Sequence, residues 1–303
     1  MRSFPSFLII IIFLSLTFSC KKEQTNKQIN QKDTLIKDSI FYNPYKTTIV
    51  KFKNKTFGVP SPVLLSKLTN ELGIPFEANL LSDYQNADRY ITTFKKAINL
   101  GIYSANLAYI NIYNQVSISD KYFQVVKKLA DDLNSLSHIP DSNIKILEEN
   151  SENKDTLVYL VSTLFRDIDA YLLDNDQQQI GSIIIAGGWI ESMFLLTQLY
   201  QKTHLDELLL KIGEQKAPLN NLLQILQPYY NQNNSEFDYL FESLADISSF
   251  YDAINFDYEY STPEDYPQKH FTIINSKTKV NIDNLDLIQI TKKIEKLRKW
   301  IIN

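Results

Sequence analysis

The chain has 303 residues, of which 44% are hydrophobic, 12% are aromatic and only seven are glycine. This is the composition of a folded protein with a sizeable core, and the scarcity of glycine excludes a glycine-rich phosphate loop, a β-propeller and a porin-like barrel. The net charge of −4 is uneven, because residues 20–60 carry nine Lys against three acidic residues, whereas residues 61–303 carry 32 acidic against 21 basic residues. An acidic body offers no basic face to phosphates, so a nucleic-acid partner is not expected.

The first 20 residues indicate export. Arg2 precedes an apolar run at 7–18 of signal-peptide length, and the Lys-rich sequence that follows contains no second apolar run. Cys20, the one cysteine of the chain, stands behind Leu-Thr-Phe-Ser. The segment resembles a bacterial lipobox, although a bulky Phe18 precedes the final serine. It implies a signal peptide over 1–19 and a diacylated Cys20 that anchors the protein in a membrane. The alternatives are an ordinary signal peptide cleaved nearby and an uncleaved anchor helix.

The next segment, residues 20–46, is polar and nearly free of apolar periodicity, which predicts a flexible lipidated tether. Residues 47–303 are predicted to form a single helical domain. At its start, residues 47–52 (TTIVKF) are typical of a short strand.

Helices dominate from there. Ser61 and Pro62 predict the N-cap and first position of a helix over 63–72, and Gly73 predicts its left-handed end. An apolar stripe that begins at Tyr90 and includes Ile91 predicts a second helix, which we expect to stop at Gly101. A further stripe predicts a helix over 122–133.

Residues 99–115 interleave tyrosines with small and polar side chains, which predicts a tightly packed helix that forms hydrogen bonds inside a bundle. Tyr103 and Asn106 are candidate buried or ligand-binding residues of this run. The run N-L-G-I-Y-S-A-N-L-A-Y, together with a Pro-Ser-Pro segment at 60–62, resembles uncharacterised helical lipoproteins of the Bacteroidetes type. The resemblance covers the mature body and implies a helical fold and membrane anchorage, but no activity.

The most unusual internal segment is 180–196, which carries a single charge, Glu191, in seventeen residues. It predicts a central helix buried on most sides, in which Gly187-Gly188 lets a neighbouring helix pack closely; a membrane span is the less favoured interpretation. A buried carboxylate must be paired, protonated or open to a cleft. Arg166, in a predicted helix over 157–172, and Arg89 are the expected partners. Glu191 is interpreted first as structural and second as a ligand-binding or acid/base group.

The remaining sequence predicts helices over 178–201, 205–212, 218–229 and 236–254. Residues 251–266 gather four tyrosines, a phenylalanine and five acids, a composition that suits sugar stacking or cationic ligands as well as an ordinary rim. Two short β-like runs, 270–275 and 280–282, predict a hairpin. A final helix places five apolar residues on one seam, and its other face is expected to carry Lys292, Lys293, Lys296, Arg298 and Lys299.

The fold class is therefore mainly α: an antiparallel helical array with a small C-terminal β-hairpin and a final helix. No nucleophile elbow is present, and the three histidines (His138, His204 and His270) lie far apart, so neither a metal nor another cofactor is expected. The sequence favours a lipid-anchored cell-envelope protein, expected in the outer membrane, with a helical binding or scaffolding surface for an envelope protein or glycan. The alternative is an envelope-glycan hydrolase or lyase with Glu191 as acid or base.

Overall fold

A computed structural model describes residues 48–52, 55–133, 145 and 177–303, and all of them belong to one compact unit, Asn43–Asn303. The fold is mainly α, as predicted. The helices of the described residues are α1 (Pro62–Glu71), α2 (Thr93–Ile112), α3 (Val116–Asp132), α4 (Gln178–Thr203), α5 (Asp206–Gly213), α6 (Lys216–Leu226), α7 (Ser235–Ser249) and α8 (Asn284–Ile302). The predicted signal peptide with Cys20, the tether and the predicted helix that contains Arg166 lie outside the described residues.

The N-terminal part of the unit follows the sequence closely. Strands β1 (Thr48–Phe52) and β2 (Lys55–Val59) pair as an antiparallel hairpin. The Ser61 side chain then accepts a hydrogen bond from the Val63 amide at 3.3 Å, and Pro62 occupies the first helical position. Gly73 follows the helix with a φ of 70°, a conformation that glycine adopts without strain. The predicted start and end of α1 are confirmed.

The expected helix end at Gly101 is wrong. Thr92 caps α2 by accepting a hydrogen bond from the Lys95 amide at 3.1 Å, and the helix continues through Gly101 to Ile112. Ile91 precedes the cap and is 83% exposed, so it is not part of the buried stripe. Local propensity disfavours glycine inside a helix by about 1 kcal/mol, which tertiary packing can offset.

Gly101 is inside α2 because α4 crosses it there. A Cβ on Gly101 would overlap the carbonyl oxygen of Ile184, and a Cβ on Gly187 would overlap that of Ile98. The two backbones are therefore in direct contact, and the predicted close approach at Gly187 is present. The contact between these two helices is the most extensive in the described residues, and it sets the position of every side chain that faces across it.

Helix α4 is the centre of the unit. It is long and apolar enough to cross a membrane, but 83% of its most apolar window is buried within the protein. Its buried residues point in all directions, which is typical of a helix surrounded by others. The interpretation of 180–196 as a central buried helix agrees with this packing.

Helix α8 packs on this core through the predicted seam, whose members are all buried: Leu287, Ile290, Ile294, Leu297 and Ile301. Its last turn is held by α2. Lys95 Nζ donates to the carbonyl oxygens of Trp300 at 2.7 Å and Ile301 at 3.1 Å, and the amide of Asn99 also donates to Ile301 at 3.3 Å. A cation placed on the last carbonyls of a helix satisfies groups that the helix itself leaves unpaired.

A β arm, residues 255–281, lies between α7 and α8. Its strands are β3 (Asn255–Glu259), β4 (Glu264–Tyr266), β5 (Phe271–Ile273) and β6 (Lys277–Asn281). The hairpin is present, but the predicted pairing is wrong. Residues 271–273 pair with 264–266, and 277–281 pair with 255–259, so that one short antiparallel pair is nested inside another. The base of the arm rests on the body through Val280, which lies against Gly213 of α5.

Candidate functional site

Glu191 lies on α4 at the centre of the unit and is fully buried, with an exposed fraction of 0%. Its partner is Arg298 of α8. The Arg298 Nε donates to Oε2 of Glu191 at 2.5 Å, and Nη2 donates to Oε1 at 2.9 Å. The guanidinium also lies over the Phe194 ring, 3.9 Å from its centroid. This is a bidentate ion pair that is stacked on an aromatic face.

The expected arginine partners are not those of the structure. Arg89 is exposed, and Arg166 lies outside the described residues. Arg298, which was expected on the outer face of the final helix, is buried instead. A sequence signal for this exists: Arg298 follows Ile294 of the seam by four residues and Thr291 by seven, so it shares their face of the helix.

Three further residues form hydrogen bonds with the ion pair. The amide of Asn106 on α2 donates to Oε1 of Glu191, and its own oxygen accepts from the Ser82 backbone amide at 2.7 Å. Nη2 of Arg298 donates to the Leu80 carbonyl and to the Ser82 hydroxyl oxygen, both at 2.9 Å. The segment before α2 thus wraps around the charges and binds them with its backbone.

A layer of tyrosines covers that segment. Tyr122 of α3 donates to the Ser82 carbonyl at 2.8 Å, and Tyr103 of α2 donates to the Asp83 carbonyl at 2.6 Å. The Tyr103 hydroxyl is also 3.3 Å from that of Tyr90. Burial raises the pKa of Tyr103 and of Tyr122 above the ordinary tyrosine value. Both therefore stay neutral hydrogen-bond donors at every physiological pH.

The electrostatics of the pair favour the charged form of the arginine. Burial acts to lower the pKa of Arg298, but the Glu191 carboxylate beside it outweighs burial and raises that pKa. We call Glu191, Arg298, Asn106, Ser82, Tyr103 and Tyr122 the buried network. None of its side chains is among the buried polar groups that lack a partner. A fully satisfied ion pair of this kind organises a core.

This geometry gives no support to acid/base chemistry at Glu191. Both carboxylate oxygens accept hydrogen bonds from protein donors, and the nearest ionised group is a cation rather than a second carboxylate. A general acid or base must reach a substrate proton within about 3 Å or through one water. Glu191, Tyr103 and Asn106 are brought together by the fold, and the place they share is sealed.

The tyrosine-rich segment 251–266 separates into a buried start and an exposed remainder. Tyr251 is buried, whereas Tyr258 and Tyr260 are 63% and 71% exposed. The exposed large apolar side chains of the arm are Phe256, Tyr258, Tyr260, Tyr266, Phe271, Ile273 and Ile274. No other part of the described chain exposes so many apolar side chains within so few residues, so the arm is the surface where a contact site is most expected.

The faces of the arm differ in chemistry. The register places Phe256 opposite Val280 and Tyr258 opposite Thr278 on one face. The other face of the same strands holds Asp257 opposite Lys279 and Glu259 opposite Lys277, and Glu259 forms a diagonal ion pair with Lys279 at 3.7 Å. Since successive residues of a strand point to opposite faces, the arm is an amphipathic ribbon.

A groove of about 400 Å³ lies between α1 and the α5–α6 segment. Its lining includes the ion pairs Lys67–Glu71 at 3.4 Å and Lys211–Glu214 at 2.5 Å. Each ion pair joins residues three or four positions apart in the sequence. The groove therefore presents both signs of charge already neutralised, and it singles out no class of ligand.

Metal ligands are not gathered in the described part of the chain, where no group of three or more His, Cys, Asp and Glu side chains could hold an ion. His204 and His270 both adopt the left-handed conformation, with φ of 54° and 55°, at the ends of helical segments. His138 lies outside the described residues.

No known protein family, curated protein or solved structure matches this chain. The roles of the buried network and of the arm are accordingly argued from their geometry.

Proposed function

We propose that the protein is a lipid-anchored component of the cell envelope that displays a binding surface on a rigid helical domain. The observation that carries this proposal is the arm, which exposes aromatic side chains next to a body whose own polar centre is sealed. Large apolar patches on soluble domains mark contact sites for proteins, ligands or membranes. The lipobox-like Cys20 supports the anchor, since two or more acyl chains hold a protein firmly at a bilayer.

The sealed network supports a binding role rather than an enzymatic one. A scaffold that presents a surface needs a rigid core, and the bidentate Glu191–Arg298 pair fixes three segments of the chain against one another. An acid/base enzyme needs an open carboxylate, for which Glu191 was the candidate. Its burial leaves that alternative without an observation in its favour.

The anchor is tested by mass spectrometry of the mature protein. We expect a diacylglyceryl-modified Cys20 at the N-terminus, and Cys20→Ser should release the protein from membranes or block its processing. A soluble, unacylated wild-type protein would contradict the proposal.

The binding surface is tested in native envelopes. Membranes are extracted with mild detergent, and the share of the protein that sediments with large envelope assemblies is compared between variants. The Tyr258→Ser/Tyr260→Ser/Ile274→Ser variant should lose this sedimentation. Ile91→Ser/Leu285→Ser is the matched control, because it removes two equally exposed apolar side chains of the body. Equal loss in both variants would contradict a role for the arm.

A further inference from the structure

One part of the arm combines aromatic and polar groups in a way that specifies a ligand class. Tyr266 of β4 and Phe271 of β5 are directly opposite in register, and their rings stack with centroids 5.0 Å apart and planes 23° from parallel. Both side chains remain substantially exposed. The two rings form one stacked apolar pair that is partly open to water.

Polar groups border this surface on the same side. Glu264 lies two residues before Tyr266, on the same face of β4. The Tyr266 hydroxyl donates to Oε2 of Glu264 at 3.0 Å, and the amide of Asn275 donates to Oε1 at 2.9 Å. Each carboxylate oxygen can accept a second hydrogen bond, and the asparagine amide carries another donor and an acceptor. We call Glu264, Tyr266, Phe271 and Asn275 the arm platform.

We propose that the arm platform binds a neutral carbohydrate chain by stacking a pyranose ring on an outer face of the Tyr266–Phe271 pair. A pyranose has an apolar C–H face and a rim of hydroxyl groups that both donate and accept hydrogen bonds. The stacked rings match the apolar face, and Glu264 and Asn275 match the rim. The inference rests on the proposed binding role and names the ligand class of that same surface.

Charge and shape separate this ligand from the alternatives. Glu264 is the only ionised group of the platform, and its negative charge would repel an anionic lipid surface, so that ligand is disfavoured. A cationic ligand would meet Glu264, but both oxygens of that carboxylate already accept hydrogen bonds, from Tyr266 and Asn275. The stacked pair remains partly exposed, which suits a flat sugar ring.

The test measures polysaccharide binding to the full chain. The protein is held in a polyoxyethylene detergent, because that headgroup contains no sugar, and is titrated by biolayer interferometry against immobilised laminarin, mannan and soluble starch. We expect saturable binding to at least one of these neutral polysaccharides, with an affinity that does not change with added NaCl because the ligand carries no charge.

Three variants assign the binding to the platform. Phe271→Ala should weaken it about tenfold or more, as expected for loss of an aromatic stacking surface. Tyr266→Phe should weaken it about threefold to tenfold by releasing one hydrogen bond. Tyr230→Phe is the matched control: Tyr230 also stacks on a phenylalanine, at 4.5 Å, and donates to a glutamate, at 2.9 Å, but on the helical body. Its affinity should stay within about twofold of wild type.

Several results would overturn the carbohydrate assignment: no binding to any of the three polysaccharides, binding that survives Phe271→Ala, or equal weakening by Tyr230→Phe. Binding of the arm to phosphatidylcholine vesicles, or salt-sensitive binding of tetramethylammonium in place of polysaccharide, would also overturn it in favour of a membrane or a cation. These failures are distinct from failure of the proposed function. That function stands if Cys20 is acylated and the arm variant leaves envelope assemblies, whatever the polysaccharides do.

Discussion

The buried network encloses charged side chains, whereas the β arm exposes apolar ones. The network buries a carboxylate and a guanidinium and pairs them with each other and with neighbouring protein groups. The arm exposes seven large apolar side chains to water, although their burial would be favourable. The buried charges of the network require one particular packing of the core. The exposed apolar side chains of the arm are an unfavourable surface that a bound partner would cover. Stability and contact are thus assigned to separate regions, which can be perturbed separately.

The largest effect is expected from alkaline pH. Burial raises the pKa of several body tyrosines, most strongly those of Tyr103, Tyr109, Tyr122 and Tyr251. They stay neutral in the folded protein while the unfolded chain ionises near pH 10, so the stability they contribute is complete below that pH and is lost above it. Each tyrosine should remove roughly 1.4 kcal/mol per pH unit above pH 10. Urea unfolding between pH 8 and pH 12 measures the loss; a flat profile would contradict tyrosine burial.

The next effect concerns the ion pair. Arg298→Ala leaves the Glu191 carboxylate buried without its partner and should lower the free energy of unfolding by about 3–5 kcal/mol. Glu191→Ala should cost a similar amount, and Glu191→Gln less, because the amide retains the shape and one acceptor. Chemical denaturation measures all three. Lys299→Ala, next in sequence but exposed, is the control and should change stability by less than about 0.5 kcal/mol.

An Arg298→Ala or Glu191→Ala variant as stable as wild type would show that the network does not hold the core. If activity or ligand binding were lost at the same time, Glu191 would have to be reinterpreted as a functional carboxylate, since such groups are often retained at a cost in stability.

Substitution of two adjacent glycines, Gly187 and Gly188, tests the close contact between α2 and α4. Gly187→Ala would force α2 and α4 apart at the Ile98 carbonyl and should destabilise by about 1–3 kcal/mol. Gly188→Ala places its Cβ 3.5 Å from Pro62, in ordinary contact, so the gain in helix propensity should leave stability unchanged or raised by up to about 1 kcal/mol. Thermal and urea unfolding of both variants decide; equal destabilisation would contradict the backbone crossing.

Tyr251 offers a substitution that stabilises. Its hydroxyl is buried and has no hydrogen-bond partner in the described part of the chain. Tyr251→Phe should therefore raise the free energy of unfolding at pH 7 by about 1 kcal/mol and reduce the loss at alkaline pH. Tyr103→Phe is the opposite case, because the Tyr103 hydroxyl donates to the Asp83 carbonyl and its removal should destabilise.

The smallest effect on stability is expected from the arm. Tyr258→Ser, Tyr260→Ser and Ile274→Ser remove exposed side chains, so each should change the free energy of unfolding by less than about 0.5 kcal/mol. A cooperative loss of several kcal/mol in the triple variant would mean that the arm is part of the core and would end the distinction between the two regions.

The parts of the fold that the sequence predicted are those decided by local chemistry. Ser61, Pro62 and Gly73 delimit α1 because caps act within one turn, and the seam of α8 is legible because it repeats with the helical period. The predicted helix end at Gly101 was wrong for the same reason. A glycine is a local signal for a helix end, whereas Gly101 allows close contact with a helix more than eighty residues away in the sequence.

The candidate site was harder to predict from the sequence, because a sequence shows which residues need partners but not which partners they contact. Glu191 stood out as the lone charge of its helix, and Asn106 and Tyr103 as polar groups on a packed one. The site where they come together depends on Arg298. The helix of Arg298 has an ordinary basic face, and only the four-residue spacing of Arg298 from Ile294 indicates that this arginine is buried. Likewise the pairing of β3 with β6 depends on register across an intervening hairpin, which alternation within one strand does not encode.

The position of Arg298 has a consequence for the time at which the domain can mature. Arg298 follows Glu191 by 107 residues, which at translation rates of about 5–20 residues per second corresponds to about 5–20 s of synthesis. Without Arg298, α2 and α4 enclose a carboxylate that nothing neutralises, so closing their hydrophobic surfaces over it is unfavourable. We therefore expect the core to close only after the last helix is in place, and a chain cut before residue 298 to be destabilised.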